Sequence, residues 1–256
     1  MRWDERQVAM LAEMGVRLWL PPQPEAVPAS EFSPAPPGEQ GVGEAVASRD
    51  DEIAARPVAS TESPVATLDW PALRETVAAC TACKLSEGRR QTVFGVGHAR
   101  AEWMIVGEAP GEQEDREGEP FVGKSGQLLD NMLRAIGLTR GEADASRQVY
   151  IANTIKCRPP GNRNPEPEEL SKCEPFLIRQ IQLVQPKIIV AMGRFAVHSL
   201  LRSTEPIGRL RGRVHRYQGV PLIATYHPAY LLRNPEDKAK AWDDLCLALA
   251  TASAIP

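Results

Sequence analysis

WMIVGEAPGEQEDREGEPFVGKSGQLL, residues 103–129, is the stretch whose reading decides the fold. Its first four residues form an apolar run of strand length, broken by Gly107. A loop dense in carboxylates follows, and beyond Phe121 and Gly123 the pattern turns helical. Open α/β sheets bind ligands beyond the carboxyl ends of their strands, so such a loop is a site architecture. The stretch also fits a phosphate-loop pattern, with Gly118, Gly123, Lys124 and Ser125 in G-x-x-x-x-G-K-S spacing. A phosphate loop leaves its strand directly, so that backbone amides and the next helix N-terminus converge on one phosphate. Here residues 112–119 intervene with five carboxylates, which would repel a polyphosphate. The strand candidate KIIVAM, residues 187–192, also ends without the aspartate a magnesium site wants. These features argue against nucleotide hydrolysis.

Outward from this stretch, apolar runs at 149–152, 188–192 and 222–225 alternate with helical patterns at 125–136, 166–184, 195–201 and 235–250. Continuous apolar strands between helices imply a parallel sheet covered on both faces. The expected fold is a three-layer α/β/α sandwich with a central, mainly parallel, four-stranded sheet. A helix near residues 70–79, capped by Asp69, leads to Cys80 and Cys83.

The folded body is expected over residues 67–256, preceded by two other segments. Residues 1–20 read as a short amphipathic helix stopped by Pro21 and Pro22. Residues 21–66, rich in Pro and Ala with few large apolar side chains, read as a disordered linker. The net charge of −3 divides unevenly: residues 1–66 carry five basic and eleven acidic side chains, leaving the body mildly basic. A basic body can bind phosphates where arginines cluster, as Arg209, Arg211, Arg213 and Arg216 do. No run is apolar enough to span a bilayer, and the start MRWDERQVAM lacks the basic and apolar regions of a signal peptide. The expected compartment is the cytoplasm, where clustered cysteines suggest metal more than disulfide.

Four of the five cysteines fall as Cys80-x2-Cys83 and Cys157-x15-Cys173. A zinc ribbon wants a second close pair, which is missing, so zinc fits poorly. Four thiolates also suit a [4Fe–4S] cluster. Cys246, in the apolar pattern LCLALA, reads as a core residue.

With these pieces assembled, the chain resembles the family 4 uracil-DNA glycosylases, the iron–sulfur members of their superfamily. The resemblance rests on GEAPGEQED (107–115), GEPFVGKSGQLLD (118–130), YIANTIKCRPPGNRNP (150–165), HPAYLLR (227–233) and the cysteine spacing. It implies a [4Fe–4S] cluster on Cys80, Cys83, Cys157 and Cys173, and uracil-containing DNA as substrate. Ala109, Phe121, Asn153 and His227 would then line a uracil pocket. Phe121 would stack on the flipped base, and Asn153 would read its edge by donating to O4 and accepting from N3–H. From spacing alone, Asn153 reads equally well as a turn residue. His227 would donate to uracil O2 as charge builds on the leaving base. Leu231 and Leu232 would wedge into the duplex and Arg233 would hold a phosphate. For water activation the pattern offers Glu108, with Glu114 in support; an aspartate of better-known relatives is replaced by Ala109. A related branch captures uracil-DNA covalently through a histidine on an inserted loop, but RPPGNRNPEPEE is short and has none.

The resemblance does not cover the N-terminal arm. Met10, Leu11, Met14, Val16, Leu18 and Trp19 give it an apolar face suited to docking in a partner's groove. It resembles the peptide with which a clamp-loader psi subunit holds chi, pointing to a clamp-loader or other replication protein; packing on its own domain is the alternative. A monomer is the default. The competing functional class is an inactive iron–sulfur DNA-binding module tied to replication machinery, which the presence of Asn153 and His227 disfavours.

Overall fold

The computed structural model describes Met10, residues 13–15 and residues 64–255. The expected helix over 1–20 lies mostly, and the linker over 21–66 almost wholly, outside the described residues. The body is built on one six-stranded sheet in the order β1-β3-β2-β4-β6-β5. These strands are β1 (Val96–Gly97), β2 (Trp103–Gly107), β3 (Tyr150–Asn153), β4 (Ile188–Met192), β5 (Val214–Tyr217) and β6 (Val220–Thr225). The four expected strands are β2, β3, β4 and β6, and they pair in parallel.

Two edge strands enlarge the expected four to six, both antiparallel to their neighbours. β5 and β6 form a hairpin whose turn residues Gln218 and Gly219 both have positive φ (50° and 79°), the geometry that matches strand twist. β5 has no apolar run to announce it: only Tyr217 of VHRY is buried.

The parallel strands are buried throughout, apart from the start of β6, and alternate residues feed opposite faces. On one face Ile105, Ile151, Val190 and Ile223 meet α4 (Lys124–Ala135) and α9 (Lys238–Ser253). On the other, Met104, Ala152, Ile189 and Leu222 meet α5 (Pro167–Val184) and α6 (Arg194–Leu201). The three layers follow from that alternation. Leu129, Met132 and Leu133 of α4 are wholly buried, each worth roughly 1.5–3 kcal/mol on removal from water.

A third apolar cluster lies beside the sheet, where α1 (Trp70–Ala79) and α2 (Leu85–Gly88) bring Leu73, Val77 and Leu85 against Phe94, Ile155 and Phe176. Asp69 caps α1 by accepting from the Ala72 N–H at 3.0 Å. Helix α5 starts with Pro167 and a reciprocal cap between Glu166 and Glu169. Buried Glu169 also takes both arms of Arg163 at 2.6 and 2.9 Å, pinning the loop between β3 and α5.

Of the arm, Met14 is buried in the first core cluster, with Met10 packed against it. The Lys238 ammonium donates to the Met14 carbonyl at 3.2 Å. These contacts are the own-domain packing that was the alternative to partner docking. Among the described residues no helix is long and apolar enough to cross a membrane.

Candidate active site

Strand order places the site. The chain passes from β2 to β3 on one side, then crosses to β4 on the other, and the carboxyl ends of an open sheet part at such a switch. A cleft of about 850 Å³ opens there. It is lined by Glu108 after β2, Asn153 at the end of β3, Gly193 and Arg194 after β4, and Tyr226 and His227 after β6. All four parallel strands thus contribute. Ala109, Glu114, Phe121 and Arg233 complete the set of sequence-predicted residues at its wall.

Between β2 and the lysine of the phosphate-loop pattern stands α3 (Glu112–Glu117), ended by Gly118 in the left-handed conformation. Lys124 opens α4 beyond Phe121, so amides and strand end do not form a continuous phosphate cradle. The loop instead presents Phe121, whose own φ is +56°. Arg140 holds that turn by donating to the Pro120 carbonyl at 3.1 Å and pairing with Asp130 at 2.7 Å.

Glycine at 107 is required by close approach. A Cβ there would lie 2.4 Å from Asn153 Oδ1 and 2.7 Å from Phe121 Cζ, so both side chains press on the bare backbone. Glycine at 193 is required twice, by φ of +89° and by His227 Cβ at 2.9 Å from where its own would stand. The rings of Phe121 and His227 lie near parallel, with centroids 5.4 Å apart and planes inclined by 24°. Asn153 is buried at the strand end, level with Gly107 across the β2–β3 pair.

Beyond the short helix α7 (Ile207–Leu210), His227 caps α8 (Pro228–Arg233), its Nδ1 accepting the Ala229 N–H at 3.1 Å. A backbone amide can only donate, so Nδ1 carries no proton and Nε2 is the donor of the neutral ring. Burial, then nearby Arg233, holds its pKa down at about 4. The imidazole is therefore neutral near pH 7. Glu108 is shifted the other way: burial raises its pKa to about 7, with Arg194 opposing. A carboxylate that titrates there is matched to proton transfer near neutral pH.

Glu114 is occupied by structure. Its two carboxylate oxygens accept from the N–H of Gly111 at 3.1 Å and of Val122 at 3.2 Å, tying both ends of the loop together. Leu231 requires a correction. It is fully buried in the first core cluster and cannot enter a duplex. Helical geometry turns Leu232 outward instead, 47% exposed, beside Arg233 at the cleft mouth. HPAYLLR is thus a short helix of its own, separate from α9. Arg211 of the arginine cluster also turns inward, onto fully buried Asp244 at 3.0 Å.

The sequence reading missed Arg194, Tyr226, Tyr230 and Arg163 at the cleft. Arg194 and Tyr226 each follow a parallel strand's carboxyl end, as Glu108 does. Tyr226 and Tyr230 stack with centroids 5.0 Å apart.

Cys80, Cys83, Cys157 and Cys173 line one small cavity with Val77 and Phe176. Arg89 Nη1 donates to Cys157 Sγ at 3.1 Å, and the Lys156 backbone N–H to Cys173 Sγ at 3.3 Å. Burial raises both thiol pKa values, that of Cys173 to about 12, so a bound metal would have to displace these protons. Among the described residues no three His, Cys, Asp or Glu side chains converge to hold a single metal ion. Four thiols around one cavity are a donor set able to hold a metal centre once deprotonated.

Residues 94–246 match the family model described as the uracil DNA glycosylase superfamily. The chain is 43% identical to a type-4 uracil-DNA glycosylase of Archaeoglobus fulgidus over 62% of this chain and 81% of that protein. It is 40% identical to that of Pyrobaculum aerophilum over 70% of this chain and 93% of that protein. With the enzyme of Thermotoga maritima the identity is 42%, over 65% and 84%.

Proposed function

The chain belongs to the uracil-DNA glycosylase superfamily, and from that premise we propose that it hydrolyses the N-glycosidic bond of deoxyuridine in DNA. It would release uracil and leave an abasic site for base excision repair. The observation that carries this reading is the neutral, Nε2-protonated His227 sharing one cleft with Asn153, Phe121 and Glu108.

Each side chain has a part in the reaction. Uracil leaves the duplex and lies against Phe121, with unstacking repaid inside the pocket. Asn153 matches the donor and acceptor pattern of its O4 and N3–H, which cytosine inverts, so the wrong base leaves buried polar groups unpaired. As the bond to C1′ breaks, negative charge passes to the base, and His227 Nε2–H donates to O2. The neutral ring can make this bond because Ala229 occupies Nδ1 and leaves the proton on Nε2, facing the base. Glu108, ionised above about pH 7, takes the proton of the attacking water or steadies the cationic sugar. Glu114 supports by holding the loop between Gly111 and Val122, and Ala109 leaves the wall beside Glu108 uncharged. Leu232 fills the space left in the stack while Arg233 meets a phosphate.

Cys80, Cys83, Cys157 and Cys173 would hold a [4Fe–4S] cluster. When bound, it would tie the end of α1 to α5. The arm's sequence supports docking to a replication protein such as a clamp-loader subunit; because Met14 is buried on the body's own core, a partner would compete with that contact. The enzyme would act as a cytoplasmic monomer. Alkali-developed cleavage of a single-deoxyuridine oligonucleotide, with a thymidine control, tests the reading: cleavage of the uracil strand alone is expected, and an intact strand would refute it.

A further inference from the structure

Lys156 has no part in the reaction above, yet it is the largest fully buried side chain among the described residues, 1% exposed. Its ammonium donates to the Asn153 carbonyl at 2.8 Å and to Gln180 Oε1 at 2.7 Å. Gln180 is itself buried and anchored, donating to the Phe94 carbonyl at 2.8 Å and to the Tyr150 hydroxyl at 3.0 Å. The same lysine lines the cysteine cavity, and its backbone N–H meets Cys173. Gln180 and Cys173 stand two turns apart on one face of α5.

Two neutral oxygens are poor compensation for a buried ammonium, whose desolvation costs several kcal/mol. Its neighbours along the cavity wall are Cys157 and Cys173, which would bring it opposite charge only when ionised by a bound metal centre. One residue therefore holds the base-reading residue's carbonyl with its side chain and meets Cys173 at the cavity wall with its backbone N–H. We infer that Lys156 is a positioning residue that couples the cysteine cavity to Asn153, so that the filled cavity sets the geometry with which uracil is read. The inference rests on the glycosylase reading and extends it to a residue outside the pocket.

The test uses the cluster-loaded full chain. Free uracil is titrated into the wild-type protein while the visible circular dichroism of the cluster is followed. Coupling predicts a saturable spectral change. Lys156→Met, of similar length and without charge, should keep its iron content and lose that change. Its KM for a deoxyuridine oligonucleotide should rise roughly ten- to hundredfold, the worth of one hydrogen bond from a charged donor, with a smaller effect on kcat. A wild-type spectrum unmoved at saturating uracil would overturn the inference, whether or not the variant folds. So would a Lys156→Met protein that binds uracil and cleaves as the wild type does. A wild type that cleaves no deoxyuridine would sink the glycosylase reading instead, which keeps the two failures apart.

Discussion

Glu108→Gln should stabilise the protein in a pH-dependent way while removing its activity. Glu108 keeps its proton up to about pH 7 in the fold, against an ordinary value of 4.5. Between those values the folded state holds a proton that the unfolded state has released, so stability is present below 4.5 and lost as pH rises through 7. The interval of 2.5 units corresponds to at most about 3.4 kcal/mol at 1.36 kcal/mol per unit. The side chain is only half-buried in an open cleft, and solvent screening reduces this to roughly 1–3 kcal/mol. Glutamine matches the neutral acid in shape and never ionises, so the variant escapes the loss. Its Tm should exceed that of the wild type by roughly 2–10 °C at pH 8 and by little at pH 5. Cleavage of deoxyuridine DNA should fall by roughly 10²–10⁴ at pH 8. Thermal melts at both pH values, beside single-turnover cleavage, make the comparison. Equal Tm increments at pH 5 and pH 8, or no increment at pH 8, would refute the claim that the cleft resists this charge.

The wild-type cleavage rate should climb with pH through about 7 as Glu108 ionises, with no limb from His227, which titrates near 4; a pH–rate profile from 5 to 9 checks this. His227→Ala should lower kcat by roughly 10²–10³ in single-turnover assays, as expected for loss of one oriented donor. Leu231→Ala should cost roughly 2–5 kcal/mol in denaturant unfolding as a core cavity, whereas Leu232→Ala should leave stability unchanged and weaken cleavage of double-stranded substrate. Arg211→Ala strands the buried carboxylate of Asp244 and should cost roughly 3–5 kcal/mol, read as a drop in Tm with the DNA affinity of the surviving folded protein little altered.

The parallel core was legible because each strand is a continuous apolar run buried on both faces, as at Ile188–Met192. The edge strands were not, because only one residue of β5 reaches the core and its pairing depends on a turn with two positive φ values. Glu108 and Asn153 were singled out through the family motifs, and both stand at the ends of parallel strands. Arg194 and Tyr226 occupy equivalent positions but lie outside any motif, so their place in the cleft emerges only when the four strand ends converge. Leu231 and Leu232 show a different limit: adjacent side chains on a helix point about 100° apart, so one reaches the core and the other solvent. Glu114 was expected to support water activation, but two backbone N–H groups that meet only in three dimensions claim its oxygens.

The most direct measurement is alkali-developed cleavage of an oligonucleotide bearing one deoxyuridine, run with the wild-type protein and with Asn153→Ala. The account predicts a break at uracil alone by the wild type, none in a thymidine control, and near-complete loss in the variant. An iron-loaded wild-type protein that leaves the uracil strand intact, or an Asn153→Ala protein that cuts it at the wild-type rate, would contradict it.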